Sequence, residues 1–316
     1  MIFETFFLNL KQLTMKSEIG KILQKDILLL TQKNFPEYEY IPQHYKPLPS
    51  LHTLKEIVEL LRAVIFPGYF GEVIVDSNTL EYHLGVKIEQ LFNLLKEQTL
   101  NGLQFNSNNN EIEHSDRLAT EIALTFINKI PELKRMVSTD IKATFDGDPA
   151  AHSFGEVIFC YPSIRAVFNH RIAHELLKLG VPVVPRVISE MAHSETGIDI
   201  HPGAQIGEYF SIDHGTGVVI GETCIIGNHV RLFQGVTLGA VRLRHDEDGH
   251  PLNIPRHPIL EDNVVVYANA SILGRIIIGK NSTIGGNVWL TSSVPAGSRI
   301  VQQKAVIGSF IDGLGI

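Results

Sequence analysis

Large aliphatic residues recur at every sixth position over much of the C-terminal half of this chain. Ile200, Ile206 and Ile212 open the series, Ile220, Ile226, Leu232 and Leu238 carry it on, and Val266, Ile272, Ile278, Ile284 and Leu290 resume it after a gap. Two positions ahead of most of them stands a smaller residue: Ala204, Val218, Cys224, Val230, Val236, Val264, Ala270, Ser282 and Val288. Gly often follows directly, as at Gly207, Gly221, Gly227, Gly239, Gly279 and Gly285. A period of six fits neither a helix nor a flat strand. It predicts a hexapeptide β-helix, in which each unit supplies one short strand and one corner. Stacked coils then bury the aliphatic column.

The chain ahead of the repeat reads as helical. Residues 51–66 (LHTLKEIVELLRAVIF) place apolar side chains at helical spacing and stop at Pro67-Gly68. Residues 77–100 repeat the pattern, with Leu91, Leu94 and Leu95 on one face, and NSNNN at 106–110 reads as a loop or hinge. Another helix is expected from an N-cap at Ser115-Asp116 through Ile122, Phe126 and Ile130, with Pro131 either kinking it or starting the next. FDGDPA puts Asp146 and Asp148 in a turn. A further helix spans 163–179, closed by Gly180 with Pro182 beyond. The fold expected is α+β: an N-terminal all-helical domain over 1–195, then a left-handed parallel β-helix of hexapeptide repeats over 196–300, then a tail over 301–316. Within the helical part, 1–115 is a variable extension and 116–195 leads into the repeat.

Chemistry is sought where the repeat breaks, because a regular solenoid needs no polar interruptions and loops projecting from rigid coils carry function. Between Ile212 and Ile220 the step is eight, and the extra residues belong to DHGTG, which carries Asp213 and His214. A longer break, AVRLRHDEDGHPLNIPRHP, protrudes at about 240–257 and ends in Arg256-His257. Asp199 precedes His214 by fifteen residues, which puts both near one corner if a coil takes about eighteen. A carboxylate beside an imidazole fixes its tautomer and raises its basicity; the two residues would equally serve as corner caps bonding to backbone. His170 and His174 share a helical face at i, i+4, but the Glu of an HExxH zinc motif is missing, so structural hydrogen bonding is expected rather than metal ligation.

Composition adds limits. With 27 Lys and Arg against 34 Asp and Glu, the net charge is -7, which argues against nucleic acid or an anionic membrane as the main partner. Two cysteines, Cys160 and Cys224, are too few for a disulfide framework. The N-terminus lacks a basic n-region and a small-residue cleavage site, so a cytoplasmic location is expected.

The spans GIDIHPGAQIGEYFSIDHGTGVVIGETCIIG, QGVTLGA, PRHP and GGNVWLTSSVP, with FDGDPA and YPSIRAVFNHRIAHELLKLG ahead of them, resemble the serine O-acetyltransferases over roughly 145–295. The long charged loop before RHP is similar to that of one subset of the family. The resemblance implies acetyl transfer from acetyl-CoA, a co-substrate rather than a tightly bound cofactor, to the hydroxyl of L-serine for cysteine synthesis. It implies His214 as general base, Asp199 as the carboxylate orienting it, Asp148 and Asp213 near the substrate ammonium, and Arg256 and His257 on the substrate carboxylate. For acetyl-CoA it implies Gly239, Ala240, Ala268 and Gly286, in a groove between neighbouring subunits. Gly239-Ala240 departs from the Gly-Gly of better-known members, and Tyr267 before Ala268 is unusually bulky. A homotrimer or dimer of trimers is implied, as is inhibition by L-cysteine at the serine site. The chain ends IDGLGI, and the resemblance implies that Ile316 enters the active site of O-acetylserine sulfhydrylase. Three competing readings remain: an acetyltransferase acting on a sugar or other hydroxyl compound, a zinc β-helix enzyme such as a γ-carbonic anhydrase using His245 and His250, and a scaffold that only binds the sulfhydrylase.

Overall fold

The computed structural model describes residues 18–32, 46–71, 78–105, 112–242, 245–250, 252 and 254–303. The chain divides into two compact units, 1–45 and 46–316. In the first, Glu18–Leu30 forms helix α1. The rest of the description concerns the second.

Six helices come first in it: α2 (Leu51–Ile65), α3 (Leu80–Leu103), α4 (Ile112–Gly147), α5 (Phe154–Cys160), α6 (Pro162–Lys178) and α7 (Val184–Thr196). Ser50 caps α2 by accepting from the Thr53 N–H, and Leu54, Ile57, Val58 and Leu61 form the buried stripe that follows. α6 is central: every residue from Ser163 to Ala173 is buried. α7 ends at Gly197, whose φ of 69° is the left-handed cap that glycine adopts without strain. Two expectations about α4 need correction. Ser115 lies inside it rather than capping it, and Asp146 is in its last turn, paired with Lys142 at 2.9 Å. Pro131 interrupts nothing that the helix assignment records; it is exposed, and buried Ile130, Leu133 and Val137 hold the helix on either side of its missing N–H.

Fourteen short strands then wind into a prism with three parallel faces. β1 (Asp199–Ile200), β4 (Val219–Ile220), β7 (Thr237–Gly239), β10 (Ser271–Leu273) and β13 (Trp289–Leu290) make the first face. β2 (Gln205–Ile206), β5 (Ile225–Ile226), β8 (Ile259–Leu260) and β11 (Ile277–Ile278) make the second. β3 (Ser211–Asp213), β6 (Arg231–Phe233), β9 (Val265–Val266), β12 (Thr283–Ile284) and β14 (Arg299–Ile300) make the third. The six-residue series points inward: Ile200, Ile212, Ile220, Leu232, Leu238, Ile272, Ile278 and Ile284 are all at most 3% exposed. The smaller partners fill the same core, including Cys224, and Phe210 adds a large ring the period did not announce. Ile212 and Ile220 are both buried, and Asp199 pairs with Val219 twenty positions on, so the first coil carries two extra residues. Arg231 pairs with Val265, so the long loop is inserted without loss of register.

One buried ion pair joins helices to prism. Arg171 of α6 donates twice to Asp140 of α4, at 2.9 Å each, and also to the carbonyls of Ile206 and Gly207, while Asp140 accepts from the Phe210 N–H. Burial pushes the Asp140 carboxyl up to about 6 against the opposing pull of Arg171.

Candidate active site

β3 ends at Asp213, and the chain turns there from the third face to the first. His214 takes the left-handed conformation at φ 58°, and Gly215 follows at 90°. A Cβ on Gly215 would stand 2.5 Å from Ile198 Cδ1, and at that φ a side chain would be strained as well, so the position favours glycine. The His214 ring is thereby thrust out, 73% exposed, with Nε2 3.8 Å from Asp213 Oδ1. The other oxygen of Asp213 accepts from Arg231 of β6 at 2.5 Å. Beside them, Asp148 accepts from the Tyr161 hydroxyl at 2.6 Å and from the Ala150 N–H at 2.9 Å. These bonds, the hydroxyl foremost, hold the Asp148 carboxyl below its usual range, and the same contact pushes the Tyr161 hydroxyl up to about 12. Asp148, Tyr161, Asp213 and Arg231 line a narrow crevice with about 10 Å³ of free space. Asp199 opens the first face one corner turn away. Its carboxylate makes no hydrogen bond or ion pair with His214 among the described residues; it lies against His193 and Glu190 of α7.

Arg256 and His257 occupy a different edge, where the first face turns into the second, at the root of the long loop. Arg256 pairs with Glu222 at 2.6 Å. His257 is only 8% exposed. The Thr223 N–H donates to its Nδ1 at 3.1 Å, so that nitrogen is unprotonated and Nε2 carries the hydrogen. The Thr223 hydroxyl oxygen accepts from the backbone N–H groups of Arg256 and His257, and Arg275 donates to the His257 carbonyl. Desolvation pushes the His257 imidazole down to about 4, leaving a neutral Nε2–H donor. The ring lies where a Gly221 Cβ would be, 2.0 Å from His257 Cδ2, so only glycine admits it.

Ala268 and Gly286 stack at the third-to-first corner, below His214 on the prism. Together with Tyr267, Asn287 and Arg299 they line an open trough of about 550 Å³. A Cβ on Gly286 would approach the Ala268 carbonyl to 3.1 Å. Tyr267 stacks on Phe233 with centroids 4.9 Å apart, which accounts for its bulk beside a small residue. Gly239 ends β7 and Ala240 follows it on the edge that bears Arg256, so one chain does not bring them to Ala268. Of the histidine pair of α6, one has the expected hydrogen bond, and the buried Nδ1 of His170 has no partner among the described residues. His174 bonds to the Pro202 carbonyl, and burial drives His170 well below the usual imidazole range. Ile316 lies outside the described residues. Tyr161, Glu222, Thr223, Arg231 and Arg275 were not singled out from sequence; their partners come from other coils or from a helix, and no local pattern marks them.

Comparison with known proteins places this geometry. Residues 257–292 match the model for bacterial transferase hexapeptide (six repeats). A protein of Synechococcus elongatus described as "Serine acetyltransferase, plasmid" is 46% identical over 285 residues, 88% of this chain and 89% of that protein. The serine acetyltransferase of Bacillus subtilis is 47% identical over 167 residues, covering 53% of this chain and 73% of the other. Among solved structures, serine acetyltransferase 1 of Entamoeba histolytica in complex with L-cysteine superposes with a TM-score of 0.69 at 34% identity, covering 81% of this chain and 88% of that one. With a relative of that identity matched along nearly its whole length, this chain belongs to the serine acetyltransferase family.

Proposed function

We propose that this protein transfers the acetyl group of acetyl-CoA to the hydroxyl of L-serine, giving O-acetyl-L-serine and CoA. The observation that carries the reading is the pairing of an exposed imidazole with an acidic crevice at one edge and an Arg-His pair at another. Serine carries a hydroxyl, an ammonium and a carboxylate, and these groups match all three. His214 removes the hydroxyl proton as the serine oxygen attacks the thioester carbonyl. The tetrahedral intermediate collapses with cleavage of the C–S bond, and the proton held by His214 passes to the departing thiolate. Asp199 orients and charges-balances the imidazole once substrate draws the two together. Asp148 and Asp213 take the ammonium. Arg256 and the Nε2–H of His257 take the carboxylate. The transfer is direct. Cys224 is fully buried with its thiol pushed up to about 12, which rules it out as an acyl carrier.

The acidic crevice and the Arg-His pair lie on different edges of one chain, with the first face between them. A neighbouring copy packed edge to edge would bring its Arg256 to this chain's His214, which supports a trimer of prisms side by side and a second layer made through the helices. In that groove Ala268 and Gly286 face the neighbour's Gly239 and Ala240, with acetyl-CoA between. L-cysteine, sharing serine's charged groups, competes for the same place, and the C-terminal Ile316 docks on O-acetylserine sulfhydrylase. Free-thiol release from acetyl-CoA tests the substrate: L-serine should be preferred over a sugar panel, and a faster rate with a sugar would replace serine as acceptor.

A further inference from the structure

The Glu190–His193–Asp199 cluster contains a carboxylate that no side chain or backbone N–H among the described residues satisfies. Glu190 and His193 stand three residues apart on α7, one turn of helix, and so share a face. That face looks onto Asp199 at the start of β1, and one ligand atom from each of the three lies within 4.8 Å of the others. The inward atoms of Glu190 and His193 contact only each other. Arg186 takes Glu190 through Oε1 alone, at 2.6–2.7 Å, while Oε2 faces His193 Nδ1 at 3.3 Å. That Arg–Glu pair is half exposed and holds weakly. Asp199 is half-buried, and its carboxylate has no hydrogen bond or ion pair among the described residues. His201, two positions on, is not a fourth ligand, because its Nδ1 accepts from the Gly203 N–H.

We propose that Glu190, His193 and Asp199 form a binding site for a divalent transition cation, and that occupation of it stops acetyl transfer by holding Asp199 away from His214. The donor set selects the ion. One imidazole with two carboxylates suits zinc, cobalt or manganese, whereas calcium and magnesium call for oxygen ligands throughout. Three protein ligands leave positions for water, which fits the partial exposure of His193 and Glu190. The binding stands on the cluster alone; the inhibition rests in addition on the role proposed for Asp199.

The test uses the full-length enzyme, stripped with a chelator and titrated with Co²⁺ by visible absorption and with Zn²⁺ by calorimetry. One equivalent per chain is expected, with Zn²⁺ displacing Co²⁺. His193→Ala and Glu190→Gln should each weaken binding by at least about 10-fold, since loss of even an outer partner of a metal ligand costs that much. In thiol-release assays Zn²⁺ should inhibit the wild type and a chelator should restore it. His193→Ala should keep the metal-free rate, which also reports its folding, and lose the inhibition. Undiminished binding in both variants would place the ion elsewhere and overturn the site. Binding as expected with turnover untouched would overturn the inhibition and count against Asp199 as the partner of His214, while leaving acetyl transfer itself standing.

Discussion

His214 is held in a conformation that a side-chain-bearing residue adopts at a cost of roughly 1–3 kcal/mol, and it persists because the turn around it is fixed on both sides. Gly215 fills the space against Ile198, and Asp213 is anchored by Arg231. The strain aims the imidazole outward from a rigid corner instead of letting it pack. Removing the ring while leaving the turn separates the two effects. His214→Ala should lower the rate of acetyl transfer by about 10² or more, with little change in melting temperature, since the lost group is a proton carrier and not a core residue. Asp199→Asn should lower it by less. A near-normal rate in His214→Ala would remove it from the role of base. His257 shows the opposite strategy: it is sunk beside Gly221 and fixed by Thr223, so its tautomer is set before any ligand arrives.

At the scale of elements, the joint between α4, α6 and the prism depends on Asp140 and Arg171. Both are nearly inaccessible, and Arg171 also closes the ends of two backbone carbonyls of the first coil. Asp140→Ala would leave a guanidinium buried without its counter-charge, which costs on the order of 3–5 kcal/mol. Chemical denaturation should show a loss of that size, and a change under about 1 kcal/mol would mean that water or a neighbour replaces the carboxylate. The six-residue period was readable because inward side chains of stacked coils must repeat, so Ile200 through Ile284 announced the prism and its two interruptions marked where Asp213-His214 and Arg256-His257 project. The pairings were not readable. Asp140 meets Arg171 thirty-one residues away, Tyr161 meets Asp148 across a helix end, and Arg256 meets Glu222 from another coil. None of these separations is a multiple of a local period. Pro131 starts no new helix, and buried Ile130 and Leu133 hold α4 together across it.

For the molecule as a whole, the separation of the two charged clusters onto different edges is the fact with the widest reach. If each site takes His214 from one copy and Arg256 from the next, two inactive chains can repair one another. Mixing His214→Ala with Arg256→Ala chains under conditions that exchange subunits should restore a fraction of the wild-type rate, because some edges then carry both intact groups. Failure to restore any activity in demonstrably mixed oligomers would place both clusters at one site within a chain. Among the described residues no helix is long and apolar enough to cross a membrane.

The long insertion ahead of Arg256 leaves and rejoins the prism at a single corner, and the strands on either side of it keep their pairing, Thr237 with Ser271 and Arg231 with Val265. Chain length at that corner is therefore uncoupled from the shape of everything stacked above and below. A segment of different size can be spliced there and the coils will still close, because the strand pairings on either side do not depend on it. Selectivity for the acceptor can thus drift while the scaffold stays fixed, in the way a door is rehung without moving its frame.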